Sequence, residues 1–259
     1  MTGPAAAGGA TATPVGEATS LGLSVVVPAF DERLRLPSSL ERICAYLKSV
    51  GRLDRSEILV VDDGSRDGTA DLASDWPEPT VRFLRLEENR GKGAALRTGV
   101  LASRGDLVLL CDADLSTPIE DLERLEARLE EAPVVFGSRA RPESAIGRRQ
   151  PWYRNQMGKT FNRLLWLLGV RGVRDTQCGF KLLRGDVARR LFERLTIDRF
   201  AYDVELLLAA RAAGHEVVEV GVRWDHVEES RVHPVRDAAR MLYDVARLRL
   251  RQILSPGTR

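Results

Sequence analysis

Short runs of aliphatic and β-branched residues alternate along this chain with longer segments whose apolar positions recur every three or four residues. The runs predict strands over residues 23–27, 57–61, 81–86, 107–111 and 134–137, the first of them stopped by Pro28. Between them the helical period predicts helices over residues 37–50, 67–75, 93–103 and 118–130. Strands separated by helices in this way imply right-handed βαβ units and an α/β fold with a mostly parallel sheet. Ligands of such sheets bind beyond the carboxyl ends of the strands. Three polar clusters fall there: residues 28–32, 62–65 and 112–114.

The second half is less regular. Its pattern predicts helices over residues 154–169 and 203–213, strands over 178–183 and 216–222, and a helical run over 234–254. The apolar face of that last helix includes Val235, Ala238, Ala239, Leu242, Val245, Ala246 and Ile253, while Arg236, Arg240, Arg247, Arg249 and Arg251 crowd its other faces. Such a helix can lie on an anionic membrane surface. It can equally pack on the protein's own sheet or on a second subunit, as in a homodimer.

Composition narrows the possibilities. The chain has 259 residues, 44% hydrophobic and 29% charged, with a formal net charge of +2, so the global balance gives no argument for nucleic-acid binding. Arginine outnumbers lysine 35 to 4, a skew that genomic codon bias explains more cheaply than function. Cys44, Cys111 and Cys178 sit singly and read as reduced thiols, and His215, His226 and His233 lack metal-ligand spacing. No apolar stretch approaches the length of a membrane span, and residues 1–20 lack the basic and apolar regions of a signal peptide. Residues 1–22 therefore read as a disordered leader, and the expected location is cytoplasmic, or peripheral on the cytosolic face of a membrane.

The sharpest chemical signal is Asp112-Ala113-Asp114, directly after the apolar run Leu107–Cys111. Alternation points both carboxylates to one side, where their repulsion invites a bound cation. Hard oxygen ligands suit Mg²⁺ or Mn²⁺, which bridge carboxylates to substrate phosphates. The plainer alternative is a solvated turn in which Ser116 or Thr117 caps a helix before Pro118.

Taken together, the motifs resemble the inverting GT-A nucleotide-sugar glycosyltransferases of family two, over most of residues 23–240. Ser24-Val25-Val26-Val27-Pro28-Ala29-Phe30-Asp31-Glu32 is similar to that family's opening strand and base-binding loop, and Val60-Val61-Asp62-Asp63-Gly64-Ser65 to its second nucleotide loop. Asn89-Arg90-Gly91-Lys92-Gly93 resembles the glycine-rich entry to its third helix, and Asp112-Ala113-Asp114 its metal and diphosphate motif. Gly137-Ser138-Arg139, Thr176-Gln177-Cys178-Gly179-Phe180-Lys181, Phe200-Ala201-Tyr202-Asp203-Val204-Glu205 and Glu229-Ser230-Arg231-Val232-His233 resemble the dolichyl-phosphate β-glucosyltransferases among its members. Three departures stand out: neither an N-terminal anchor nor C-terminal transmembrane helices are present, and Ser116 stands where some relatives place a third polar group beside the metal.

The resemblance implies a glycosyltransferase domain over residues 23–225, followed by an acceptor-side loop and amphipathic helix over 226–259. It implies that Pro28, Ala29, Phe30, Glu32, Asp62, Asp63, Lys92, Asp112, Ala113 and Asp114 surround the nucleotide, with Asp112 and Asp114 on the metal side. The donor is expected to be UDP-glucose, with GDP-mannose second, and the acceptor a polyprenyl phosphate. A metal bridging Asp114 to the diphosphate would stabilise the charge that grows as the glycosidic bond breaks. A phosphate acceptor is largely ionised at neutral pH and needs cationic guides rather than a base. Arg139, Arg154, Lys181 and Arg231 are the candidates, Arg139 and Lys181 foremost. Were the acceptor a hydroxyl, Asp203 would be the base. A nucleotide-sugar-binding protein without turnover is the alternative from another class.

Overall fold

The structure is a computed structural model and describes residues 21–147, 152–225 and 234–254. A seven-stranded sheet forms its centre. The strands are β1 (Leu23–Ala29), β2 (Ser56–Asp62), β3 (Val81–Arg85), β4 (Leu107–Leu110), β5 (Val134–Ser138), β7 (Lys181–Arg184) and β8 (Val217–Gly221), in the spatial order β3-β2-β1-β4-β7-β5-β8. A short parallel pair, β6 (Ala145–Ile146) with β9 (Arg223–Trp224), lies apart from it. Every neighbouring pair in the main sheet is parallel except those made by β7, which runs antiparallel to both β4 and β5.

The helices are α1 (Leu36–Ser49), α2 (Leu72–Asp75), α3 (Lys92–Ala102), α4 (Leu122–Glu126), α5 (Trp152–Leu167), α6 (Gly185–Phe192), α7 (Tyr202–Ala212) and α8 (Pro234–Leu254). Strand alternation divides the core into two layers. Val26, Leu59, Val61, Val108 and Leu110 face α3, α6, α7 and α8, whereas Val25, Val27, Ile58, Val60 and Leu109 face α1 and α4. Gly99 brings α3 close to the sheet, since a Cβ there would overlap Val26.

Several elements depart from the sequence pattern. Strand β1 continues through Pro28 to Ala29, because its pairing with β4 ends at Val26 and beyond that point only β2 flanks it. Pro28 thus occupies a local edge, where its missing N–H costs little. The helices expected over 67–75 and 118–130 contract to α2 and α4, each entered through a 3₁₀ turn. Helix α6 follows β7 with no intervening loop, so no turn residues announced it.

Helix α8 packs on the chain's own body. Met241 and Val245 are buried in the α3–α7 layer with Leu165 and Val170, and Ala238, Leu242 and Leu248 pack around them. Ala239 and Ala246, expected on the apolar face, are exposed instead. Leu248 and Met241 take their place because the buried stripe is rotated toward α5 and α7. No described helix is long and apolar enough to cross a membrane.

Candidate active site

The carboxyl ends of β1, β2 and β4 meet on one rim, and cross-bonds lock the first two clusters together. Asp63 N–H donates to the Ala29 carbonyl (2.8 Å), Asp31 N–H to Ser65 Oγ (2.9 Å), and Arg66 N–H to Asp31 Oδ1 (3.0 Å). Asp31 holds φ at +53°, a left-handed turn that a short polar side chain tolerates. Asp63 accepts the N–H groups of Arg90 and Gly91, both at 2.8 Å, which fastens the glycine-rich entry of α3 to the same rim. Burial raises the Asp63 carboxyl above its ordinary value, against those two hydrogen bonds and the charge of Arg199.

Asp62 is also buried. Its Oδ1 accepts from Ser65 N–H at 3.1 Å, whereas its Oδ2 has no hydrogen-bond partner, although Arg85 Nε stands 3.4 Å away. Phe30 is half-buried beside this loop pair. Glu32 is committed elsewhere: Arg35 grips its carboxylate through Nε (2.8 Å) and Nη2 (2.7 Å).

At the end of β4, Lys92 Nζ makes an ion pair with Asp112 Oδ1. Burial would push the Asp112 carboxyl up, but Lys92 outweighs it, with help from Lys181 and Arg139, and the net effect is downward. The loop before β7 closes over this carboxylate: a Cβ on Gly179 would overlap it. After Asp112 the chain turns sharply. Leu115 sits at φ +47°, its N–H bonded to the Asp112 carbonyl at 3.1 Å, and Asp114 Oδ1 accepts from Ser116 N–H at 2.9 Å. Asp114 Oδ2 carries no hydrogen bond among the described residues. Neither Ser116 nor Thr117 caps the following turn with its side chain.

Three or more His, Cys, Asp or Glu side chains do not converge on one point among the described residues. Asp112 and Asp114 alone would leave most of an octahedral shell to diphosphate oxygens and water, the arrangement that suits Mg²⁺ or Mn²⁺ on a nucleotide. The donor set fits such an ion.

On the far side of Asp112, Arg139 is held by Asp175. Its Nε donates to Oδ2 (2.7 Å), its Nη2 to Oδ1 (2.9 Å) and its backbone N–H to Oδ2 (3.0 Å), while Trp224 lies 5.6 Å from the guanidinium. Asp175 is buried; burial raises its carboxyl, but Arg139 more than offsets this and the net shift is downward. Nothing in the sequence pattern marked Asp175 or Trp224, and Gly179 stood out only as part of the run from Thr176 to Lys181, because each acts through chain-distant partners.

Lys181 and Asp203 take places unlike those expected. Lys181 is fully buried; its ammonium is paired with Asp203, bonded to the Cys178 carbonyl, and set over the rings of Phe136 (4.8 Å) and Tyr202 (5.7 Å). Such a group cannot reach an acceptor phosphate. Asp203 is 4% exposed, and burial raises its carboxyl against the pull of Lys181 and Lys92. It holds Lys181 and is closed to a substrate hydroxyl. Arg231 lies outside the described residues, as does the side chain of Arg154.

A family model described as "Glycosyl transferase family 2" matches residues 24–192. The dolichyl-phosphate β-glucosyltransferase of Dictyostelium discoideum is 37% identical over 90% of this chain and 75% of its own length. The Drosophila melanogaster enzyme of the same name is 41% identical over 84% and 71%. Among solved structures, glucosyl-3-phosphoglycerate synthase from Mycobacterium tuberculosis, determined with Mn²⁺, UDP and phosphoglyceric acid, has the same fold, with a TM-score of 0.61, 21% identity, and coverage of 89% of this chain and 78% of that one. A GT-A sheet with its polar rim intact, matched by sequence over nearly its whole described length, makes this chain a glycosyltransferase that belongs to glycosyl transferase family 2.

Proposed function

We propose that the chain transfers glucose from UDP-glucose to a polyprenyl phosphate, with inversion, to give a β-linked lipid-phosphate sugar. The observation that carries this reading is the state of two acids, Asp175 and Asp203. Asp175 is sealed by Arg139 and Asp203 by Lys181, so neither is available as a general base. An acceptor that brings its own ionised oxygen requires none. The similarity to dolichyl-phosphate β-glucosyltransferases supports the same acceptor class.

The residues divide the work as follows. Asp62 Oδ2, a buried acceptor without a hydrogen bond, suits the single imide N–H of uracil. Phe30 flanks the base, and Asp63 holds the Gly91 loop that presents Lys92. Asp112 and Asp114 would hold Mg²⁺ or Mn²⁺, which when bound neutralises charge on the departing diphosphate. Lys92 adds a fixed positive charge at the same point. Arg139, 30% exposed and oriented by Asp175, meets the acceptor phosphate. An acceptor oxygen attacks the anomeric carbon opposite the diphosphate; the C–O bond to UDP breaks, UDP leaves with the electron pair, and no proton moves.

The test is a radiolabel assay crossing UDP-glucose and GDP-mannose with polyprenyl phosphates and with sugar hydroxyl acceptors, at saturating Mn²⁺ or Mg²⁺. Labelled lipid from UDP-glucose and polyprenyl phosphate is the expected product. Transfer to a sugar hydroxyl alone would overturn the acceptor assignment, and donor binding without turnover would overturn the enzymatic one.

A further inference from the structure

A cleft of about 540 Å³ lies between α8 and the loops at residues 88–90 and 196–199. One wall is a single stripe of α8, carrying Arg240, Asp244, Arg247 and Arg251 at helical spacing; Arg199 faces it from the other wall. The stripe is fixed in place, because the adjoining row of α8, Met241 and Val245, is buried in the core.

The charge in this cleft is concentrated. Arg35, Arg42, Arg52, Arg97, Arg139 and Arg223 each have a carboxylate within 4.0 Å, and arginines without one, such as Arg55, Arg66 and Arg194, are exposed positions off the cleft. Arg199, Arg240, Arg247 and Arg251 make no such ion pair among the described residues. The cleft's acids do not neutralise them: Asp198 is taken by Arg90 and Arg97, and neither Glu88 nor Asp244 is within salt-bridge distance of any of the four. Guanidinium groups gathered in a concave site with no carboxylate at ion-pair distance are suited to phosphate oxygens.

We propose that this cleft is a phosphate-binding site, separate from the nucleotide rim, that takes the headgroup of an anionic lipid. A soluble phosphoanion offers the same chemistry, but the neighbourhood favours lipid. Tyr243 and Leu250 of α8, on the row next to the arginines and away from the buried one, are 64% and 56% exposed. Aromatic and aliphatic side chains beside a row of arginines are the makings of a membrane interface. The inference rests on the lipid-phosphate reading of the reaction only for the source of the phosphate. The site also adjoins the donor rim, since Gly91 lies so close to the 196–199 loop that a Cβ would stand 2.6 Å from the Asp198 carbonyl.

The full chain, with neither donor nor acceptor, is titrated with phosphatidylglycerol–phosphatidylcholine vesicles and separately with inorganic pyrophosphate. Vesicle binding should fall about 100-fold in Arg240→Ser/Arg247→Ser/Arg251→Ser, the loss expected of three interfacial cations. It should persist in Arg42→Ser/Arg55→Ser/Arg190→Ser, which removes equal charge from exposed positions off the cleft. Pyrophosphate binding lost in the first variant, with no vesicle binding at all, upholds the phosphate site and overturns the lipid source. Equal losses in both variants, or no binding of either probe by the wild-type chain, overturn the proposal. Should the cleft variant unfold, Arg247→Glu alone, a change of two charges expected to cost about 30-fold, decides the matter. Because no donor is present, vesicle binding through the cleft in a chain that transfers nothing to polyprenyl phosphate would count against the proposed reaction alone.

Discussion

Two side chains and one missing side chain set the chemistry at the end of β4. The Asp112 carboxylate lies between Lys92 and the bare Cα of Gly179, and a methyl group has no room there. Gly179→Ala should therefore displace Asp112 and lower kcat/KM by about 100-fold, the scale of an ångström-level misplacement. A melting temperature close to wild type would place the loss in the site; unchanged kinetics would refute the close approach. Asp114→Ala should abolish transfer and remove the metal dependence of UDP binding while the circular dichroism spectrum stays the same. Lys181 poses a different question, because its charge is buried against Asp203. Lys181→Met strands a buried carboxylate and should cost about 3 kcal/mol. Lys181→Met/Asp203→Leu, which removes both charges, should recover much of that in urea denaturation, with transfer partly restored. A double variant that is stable yet wholly inactive would instead return Lys181 to contact with substrate.

At the scale of elements, strand edges are tied by charge as well as by ladder bonds. Glu57 in β2 is buried and accepts from Ser24 Oγ of β1 (2.7 Å), Arg82 of β3 (2.8 Å) and the Arg104 N–H (2.6 Å). Burial alone would raise its carboxyl, but these contacts prevail and hold it below the ordinary 4.5. A carboxyl depressed in the folded state stabilises the fold above its unfolded value and loses that contribution as pH falls through the folded one. Wild-type stability should thus decline as pH falls below the ordinary carboxylate value and through the depressed folded one. Glu57→Gln should be less stable by about 2 kcal/mol at pH 7 and decline less with acid, as read by denaturant melts across pH. Helix α8 offers a second test. Val245 is fully buried, and Val245→Asp should cost about 3 kcal/mol or more and expose α8 to proteolysis.

The elements most legible in the sequence were those set by local pattern: β1, β2, β4 and α3 sit within two residues of their expected bounds. The rim clusters were legible because a parallel sheet places them at one edge whatever the packing. What escaped the sequence depends on contacts between distant segments. The burial of Lys181 comes from Phe136, Tyr202 and Asp203, and no spacing rule distinguishes a lysine at a rim from one beneath it. Strand β7 carried a strand pattern, but its direction is set by which neighbours it joins, and a mostly parallel sheet leaves open which strand is reversed.

For the molecule as a whole, no described helix is long and apolar enough to cross a bilayer, and the proposed lipid contact is one made at the α8 surface. If that contact is electrostatic, sedimentation of the full chain with phosphatidylglycerol vesicles should be reversed by about 0.5 M NaCl, where screening shortens the reach of surface charge to a few ångströms. Retention in the pellet at that salt would point to insertion instead. The reversed course of β7 bears on the same surface. Because it descends where its neighbours climb, the segment preceding it, from Asp175 to Phe180, arrives at the top of the sheet. One inverted strand thereby delivers, to a single mouth, the loop that cradles Asp112 and the carboxylate that aims Arg139. On the proposed reading, donor and acceptor ends of the reaction are hinged on the same six residues, so an insertion there should impair both half-sites together.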